Sequence, residues 1–242
     1  MTRLLVAAAI VAGMLVSPRE ALAAAPESGN AFTFRLGGFS PSGDSDFWQA
    51  NETAFTLEVS DFTGAIGGVG YSMSINNYLE FDANMDFYSA GDQSADSTYV
   101  DLDGYPILHD TTLWIYPLTA GIRVLPAGRY ARRGAGGKRL VRRPVPYIGA
   151  GIGLSLWQYE EEGDFVATDL TIVYDRLTDS GTAFETHVYA GVEFPVSPEW
   201  YVTLEVRRSW AEASMGGDFE SVNPGTLDLG GTAIYVGGRV RF

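Results

Sequence analysis

The alternation near the carboxyl end of the chain constrains the fold more than any other feature. Between Ile234 and Phe242 every second residue is apolar or glycine, whereas Arg239 and Arg241 occupy intervening positions. A period of two residues indicates a β-strand with one apolar and one polar face. In a membrane barrel such a strand turns the apolar face to lipid and the polar face to the lumen. The pattern therefore predicts a transmembrane β-barrel.

The amino-terminal segment predicts export. A positive charge precedes an uncharged apolar run over 4–16, and the small residues of Ala21-Leu22-Ala23 then fit a cleavage site. We therefore predict a signal peptide over 1–23 and a single barrel domain over 24–242. The alternative is a membrane anchor, but the run is shorter than the ~20 residues that a spanning helix needs.

Composition narrows the class of protein further. The chain has 30 acidic and 16 basic residues, a net charge of -14, and no cysteine. Disulfides and thiolate metal sites are therefore excluded, and nucleic acid is a poor partner. The 29 glycines and 13% aromatic residues are typical of barrels with bent strands and aromatic girdles.

Period-two alternation predicts eight strands, enough for an even-numbered barrel. They lie at about 31–40, 65–75, 78–90, 112–125, 145–159, 182–196, 200–213 and 229–242. The predicted fold class is therefore all-β: an eight-stranded antiparallel up-and-down transmembrane β-barrel that follows an N-terminal signal peptide.

Periodicity alone does not separate this barrel from a soluble sandwich or lipocalin-like barrel with the apolar face inside. Two features favour the membrane orientation. Glycines such as Gly68, Gly149 and Gly151 share the charged face, where a narrow lumen needs small residues. Short connections at 76–77 and 196–199 alternate with long ones, as periplasmic turns and external loops do.

The long connections at about 41–64, 91–111, 160–181 and 214–228 carry 20 of the acidic residues and a single base, Arg176. The middle inner turn, 126–144, is long, unlike the other two, and all of its charged residues are bases. They are Arg129, Arg132, Arg133, Lys138, Arg139, Arg142 and Arg143. One end of the molecule is therefore predicted to be negative and the other positive.

The strands resemble those of the small outer-membrane β-barrel families, the OmpA/OmpW-like group. The matching segments are Arg35-Leu-Gly-Gly-Phe-Ser-Pro41, Pro117-Leu-Thr-Ala-Gly-Ile-Arg123, Pro146-Tyr-Ile-Gly-Ala-Gly-Ile-Gly153 and Arg239-Val-Arg-Phe242. The resemblance implies the outer membrane of a Gram-negative-type bacterium, and insertion by the outer-membrane assembly machinery, which would read Phe242. It does not imply one activity, because such barrels include anchors, adhesins, narrow pores and lipid-modifying enzymes.

Alternation also predicts which charged residues enter the lumen. The predicted lumen network comprises Arg35, Glu80, Asp82, Asp86, Arg123, Glu185, His187, Glu193, Glu205, Arg207, Arg239 and Arg241. It could line a selective pore, but eight strands enclose a space that side chains just fill. A plug of ion pairs is therefore the favoured interpretation, since buried charges need partners.

The remaining motifs predict contacts more readily than chemistry. The basic turn could bind anionic lipid or peptidoglycan, or be a solvated insertion. Asp101-Leu-Asp103-Gly104 resembles a calcium turn but lacks the closing bidentate Glu, and no metal or cofactor site is predicted. Loose bridging of Mg²⁺ or Ca²⁺ between loop carboxylates and lipopolysaccharide stays open. No catalytic residue is predicted, because no nucleophile pattern surrounds His187 or Ser209.

The sequence thus predicts an integral outer-membrane barrel with a structural and surface-interaction role, in contact with outer-membrane lipid and lipopolysaccharide. The first alternative is a narrow pore for small or apolar solutes. A lipid A-modifying enzyme is the second alternative.

Overall fold

Eight antiparallel strands form a closed ring in the computed structural model, which describes residues 29–133, 137–140, 143–167, 169–220 and 225–242. The predicted signal peptide over 1–23 lies outside these residues. The ring strands are β1 (Asn30–Pro41), β2 (Gly64–Ser74), β3 (Leu79–Val100), β4 (Pro106–Val124), β7 (Val145–Val166), β8 (Ile172–Pro195), β9 (Trp200–Ser214) and β11 (Gly231–Arg241). Each pairs with its neighbours along the chain, and β1 pairs with β11 to close the ring. The predicted eight-stranded up-and-down topology is therefore confirmed.

The remaining elements lie in the connections. They are helix α1 (Asp46–Ala54), two 3₁₀ turns (Val59–Phe62 and Gly217–Phe219), the hairpin β5 (Tyr130–Arg133) and β6 (Gly137–Leu140), and the short strand β10 (Thr226–Asp228), which pairs with β9. Among the described residues, no helix has the length and apolarity needed to cross a membrane. We call the end of the barrel that holds α1 the upper end, and the end that holds the short turns the lower end.

The charged face of each ring strand points inward, as predicted. Glu80, Asp82 and Asp86 on β3 are each at most 2% exposed. On the opposite face, large apolar side chains remain open, and Leu36 is 74% exposed. Since burying apolar surface is the main force that stabilises a protein in water, such a ring needs an apolar surrounding. This orientation is that of a membrane barrel, not of a soluble one.

The apolar outer band ends at one level on the upper side. There Ser89 lies opposite Trp114, Trp114 opposite Gln158, and Gln158 opposite Ser180, all on the outer face. Indole and polar side chains suit the boundary between hydrocarbon and water. We call this row the polar ring and take it as the upper limit of the membrane-spanning segments.

Two hairpins extend well beyond the polar ring. The sequence predicts loops at 91–111 and 160–181, whereas β3–β4 and β7–β8 continue as paired strands through most of both segments. The alternation weakens there because neither face is in lipid, so the pattern that reveals the lower strands is lost. The opposite wall of the barrel ends near Pro41, Gly64 and Ser214, and the molecule is therefore taller on one side.

Candidate functional site

The lower lumen is filled by two carboxylates and four guanidinium groups. Glu80 accepts hydrogen bonds from Arg129 Nε (2.9 Å), Arg239 Nη2 (2.7 Å) and Arg241 Nη2 (2.6 Å). Glu193 accepts from Arg129 Nη1 (2.6 Å) and Arg123 Nη1 (3.1 Å), and Arg239 Nη1 lies 3.1 Å from it. Charge-assisted bonds of this kind fix all six side chains in one arrangement.

The middle lumen holds a second group of ion pairs. Arg35 forms a forked pair with Asp86, with Nε–Oδ1 and Nη2–Oδ2 distances of 2.8 and 2.6 Å. Arg207 donates to Asp86 (3.0 Å) and to Glu205 (3.0 Å), and Tyr147 donates to Glu205 (3.0 Å). Every one of these side chains is at most 5% exposed. The two groups meet where Arg123 Nη2 lies 3.7 Å from Glu205.

Three further predicted residues complete the network. Asp82 accepts hydrogen bonds from Asn84 (2.7 Å) and Tyr189 (2.6 Å). Ser155 donates to Glu185. His187 Nδ1 lies 3.7 Å from Glu185, too far for a hydrogen bond, and neither ring nitrogen has a hydrogen-bond partner among the described residues. All twelve predicted lumen residues are thus inside the barrel and together occupy it.

Arg129 lies in the predicted lower turn, but its side chain enters the lumen. The sequence assigns it to the basic turn, yet its side chain is 2% exposed and links Glu80 to Glu193 inside the lumen. Gly128, at φ 67°, follows β4 and reverses the chain so that Arg129 re-enters the barrel. A turn has no periodicity that could have revealed this.

Of the other turn residues, Arg143 is exposed and donates to the Ala127 carbonyl at 2.9 Å. Arg142 lies outside the described residues, and so do the side chains of the remaining predicted bases. Those bases are Arg132, Arg133, Lys138 and Arg139. At the same end Phe242 lies on the outer face, and its N–H donates to the Asn30 carbonyl at 3.1 Å.

The upper mouth is covered by α1. Phe47 and Trp48 on this helix are fully buried, and Trp48 Nε1 donates to the Asp228 carbonyl at 3.1 Å. The helix packs on Phe62, on Phe219 and on Tyr159 of the barrel wall, with ring centroids 5.0 to 5.7 Å apart in the nearest pairs. We call this apolar layer the cap. It was not predicted, although aromatic residues inside acidic connections are a signal that could have indicated it.

The carboxyl group of Glu161 is buried between α1 and the barrel wall. Glu161 accepts hydrogen bonds from Tyr159 (2.6 Å) and from Asn51 of α1 (3.0 Å). Glu161 lies above the polar ring, and burial raises the pKa of its carboxyl to about 7 although both hydrogen bonds oppose this. The group therefore joins the cap to the barrel wall and titrates near neutral pH.

The described residues contain no group of three or more His, Asp or Glu side chains that could hold a metal ion. In the segment Asp101-Leu-Asp103-Gly104, which resembles a calcium turn, a carboxylate oxygen is used for hydrogen bonds within the turn. Asp101 Oδ1 accepts from the N–H groups of Asp103 (2.9 Å) and Tyr105 (2.7 Å), so it caps the hairpin turn.

Comparisons with known proteins agree on the type of fold. A family model described as "Outer membrane protein beta-barrel domain" matches residues 7–242. Among curated proteins, no significant match was found. The outer membrane protein OprG from Pseudomonas aeruginosa is similar in structure, with a TM-score of 0.51 and 11% identity over 89% of this chain and 96% of OprG.

Two further solved barrels are similar at lower TM-scores. Neisserial surface protein A (NspA) has a TM-score of 0.47 and 14% identity, covering 88% of this chain and 96% of its own. Ail, the attachment invasion locus protein of Yersinia pestis, solved in complex with the heparin analogue sucrose octasulfate, has a TM-score of 0.42 and 11% identity, covering 89% of this chain and 99% of its own.

Proposed function

We propose that this chain, which belongs to the outer membrane protein beta-barrel domain family and is an outer-membrane protein, acts as a closed barrel. Its role would be to support outer-membrane integrity and to make contacts outside the cell, without conducting solutes. The observation that carries this proposal is the filled interior: ion pairs occupy the lumen and the cap covers the upper mouth.

The cap and the ion pairs of the lumen would both have to move before a solute could pass. In the lumen, Arg207 and Asp86 span the middle while Arg129 joins Glu80 to Glu193 below. Separating a buried ion pair leaves charges without partners, which costs several kcal/mol, about 3–5 for each pair broken. Steady conduction is therefore unfavourable in this arrangement.

The test combines conductance with a cellular assay. The mature protein in planar bilayers should give no steady single-channel steps, and cells that lack it should become more sensitive to detergent. A control variant that lacks 46–54, and therefore α1, shows whether the cap or the lumen ion pairs block conduction. If the ion pairs alone close the barrel, this variant should not conduct either. Regular conductance steps from the unaltered protein would contradict the proposal.

The proposed partners follow from position and charge. The apolar band would contact outer-membrane lipid, and the acidic upper surface would meet lipopolysaccharide phosphates only through divalent cations. A polyanion such as the sucrose octasulfate bound to Ail is not favoured here, because the upper connections are strongly acidic. The β11 strand and Phe242 would engage the outer-membrane assembly machinery, and the basic turn would contact anionic lipid or peptidoglycan.

One observation favours the alternative of a narrow pore for small or apolar solutes. A small cavity lies between the cap and the ion pairs, with Phe39, Ile66 and Ile115 on its apolar side and Glu185 and Arg207 on its polar side. If the cap opened, this cavity would join the outside. Conductance that appears only in the variant without 46–54 would support this second role.

Catalysis is the least supported role. A lipid-modifying enzyme needs its reactive groups at the lipid or the mouth, whereas His187 and Glu185 are buried in the lumen. The variant His187→Ala should leave the mass spectrum of lipid A in expressing cells unchanged. A lipid A mass shift that depends on His187 would overturn this conclusion.

A further inference from the structure

The taller side of the barrel extends above the membrane as a four-stranded sheet. Strands β3, β4, β7 and β8 all continue past the polar ring, and β4 remains paired with β7 up to His109 and Gly163. β7 and β8 pair up to Val166 and Ile172, roughly 26 Å along the strands beyond Gln158. Four paired strands resist bending, so this sheet holds its outer edges in fixed positions.

In the described part of the chain, no strand lies beside the upper part of the β8 edge of that sheet. Among the described residues, β9 begins to pair with β8 only at Glu185 and Ala211, so the segment 172–184 is paired on its β7 side alone. The Thr178 N–H points away from β7, because it donates to Asp218 Oδ2 at 3.0 Å. By the alternation of an antiparallel ladder, the N–H and C=O groups of Ile172 and Tyr174 point the same way.

Other parts of the sheet edges are covered. On β3, Phe55 forms a bridge with Asp96, and the Thr56 N–H donates to the Ala95 carbonyl at 2.9 Å. On β8, the turn Gly217–Phe219 lies beside Thr178. The segment 172–177 differs from both, because no described backbone or 3₁₀ turn bonds to its outer edge. Unpaired edges of this kind accept an added strand.

The side chains around the open segment define the chemistry of that strand. Ile172, Val173 and Tyr174 are 40–65% exposed although they lie outside the apolar band. The surrounding carboxylates are Glu160, Glu162, Asp164, Asp169 and Asp175. The local base is Arg176, which is already shared between Glu160 (2.8 Å) and Glu162 (3.7 Å). The edge is therefore apolar and β-branched, with an excess of negative charge.

We propose that the β8 edge over 172–177 binds an extended, lysine- or arginine-bearing segment of another protein by β-strand addition. Backbone hydrogen bonds at Ile172 and Tyr174 would provide the pairing, and the carboxylates would select a cationic strand. A second copy of this chain is a poor occupant, because two such acidic edges would repel each other. The inference rests on the proposed surface role and names the class of partner.

The test uses the refolded mature protein in detergent and a ten-residue peptide of alternating lysine and valine as the probe. The same peptide with glutamate for lysine measures the contribution of charge. A third peptide, N-methylated at every residue so that neither edge keeps an N–H, lacks the donors for strand pairing. The lysine peptide should bind, slow the amide exchange of 172–177, and lose affinity at high salt, while the other two should bind about tenfold more weakly or not at all.

A pair of variants isolates the backbone contact. Tyr174→Pro removes an outward N–H without removing a bond to β7, since edge strands tolerate proline there. Its matched control, Tyr174→Ala, removes the same ring and the hydroxyl that donates to Glu162 (2.6 Å) but keeps the N–H. Proline should weaken lysine-peptide binding roughly tenfold relative to alanine. Heat-modifiable migration of both variants would establish that they fold.

Equal binding of the lysine peptide to both variants would overturn the proposal, as would equal binding of the glutamate or N-methylated peptide. Amide protection that appears elsewhere on the barrel would also contradict it. These outcomes leave the proposed function intact provided that the protein still fails to conduct and still maintains detergent resistance. Conversely, single-channel steps would contradict the closed barrel without affecting the edge.

Discussion

Glu193 lies within 4.0 Å of four guanidinium groups, those of Arg123, Arg129, Arg239 and Arg241. The importance of this carboxylate for stability lies less in any one ion pair than in the buried cations that would lose their partner if it were removed. Removing one partner of a buried charge group is therefore much more harmful than never having built the group.

Glu193→Gln should lower the free energy of unfolding by about 3–5 kcal/mol, because Arg129, Arg239 and Arg241 would then share the single carboxylate of Glu80. Arg123 would be left with Glu205, 3.7 Å away, as its one carboxylate partner among the described residues. The measurement is urea unfolding in detergent, followed by tryptophan fluorescence. Glu199→Gln, in the exposed turn after β8, is the control and should change the free energy by less than about 0.5 kcal/mol. Equal effects of the two substitutions would show that the lumen ion pairs do not hold the barrel together.

Arg129→Gln and Arg143→Gln separate two bases that the sequence assigns to one turn. Arg129 bridges two buried carboxylates, so its loss should destabilise the barrel by several kcal/mol, about 3–5. Arg143 is exposed, and its loss should cost less than about 1 kcal/mol. The same urea titration measures both, and a larger effect at Arg143 would contradict the position of Arg129 in the lumen.

These residues also show how far sequence reasoning reaches. Period two predicts the facing of Glu80, Asp86 and Arg239, because a strand with lipid on one side must alternate. It does not predict which carboxylate meets which guanidinium, since pairing depends on register and on side-chain length. Arg129 lies in a turn, where only the tertiary structure decides its direction.

At the scale of elements, the cap is the feature most open to experiment. Trp48 is fully buried between Phe62 and Tyr159, so Trp48→Ala should leave a cavity and destabilise the docked helix by about 3–5 kcal/mol. Amide exchange over 46–54 should become faster while exchange in the ring strands does not change. Trp114→Ala, on the outer face at the polar ring, is the control and should leave the helix protected.

The cap should also respond to pH through Glu161. Its pKa of about 7 in the folded protein lies above the ordinary value of 4.5, so the folded state binds the proton more tightly. The stabilisation is complete below about pH 4.5 and is lost as pH rises through 7, by up to about 3 kcal/mol. Amide protection of 46–54, corrected for intrinsic exchange rates, should therefore fall between pH 5 and 8.

Glu161→Gln should remove this fall in protection, because the amide stays neutral while accepting the same hydrogen bonds. His109 is the neighbouring group to consider. Burial lowers its pKa, so it destabilises the folded state below its ordinary value of 6.5 and acts with the opposite sign. If protection of α1 falls equally in the glutamine variant, Glu161 is not the group that responds.

The ring strands are the elements that the sequence predicts well, with the lower ends of β3, β7 and β9 found within a few residues of expectation. The hairpin extensions and the cap were missed because both lie beyond the membrane. Lipid no longer requires an apolar outer face on the strands there, so the alternation of apolar and polar residues is lost, and a period of two does not apply to the helix α1.

The whole molecule is charged unevenly, with acidic upper connections and a basic lower turn. We expect peptidoglycan to retain the detergent-solubilised protein at 0.1 M salt and to release it at 1 M, because the screening length falls from about 10 Å to about 3 Å. Replacing Arg132, Arg133 and Arg139 by glutamine should weaken retention at low salt. Retention that does not depend on salt would indicate a contact that is not driven by charge.

The pairing of β11 with β1 links closure of the barrel to the ion pairs of the lower lumen. β11 carries Arg239 and Arg241, two of the four cations around Glu80 and Glu193. Before β11 pairs with β1, Glu80 and Glu193 would have only Arg123 and Arg129 as cationic partners among the described residues. Closure of the cylinder and completion of the ion-pair group at its base are thus one event, and an intermediate without β11 would lack half of the guanidinium groups that surround these two acids.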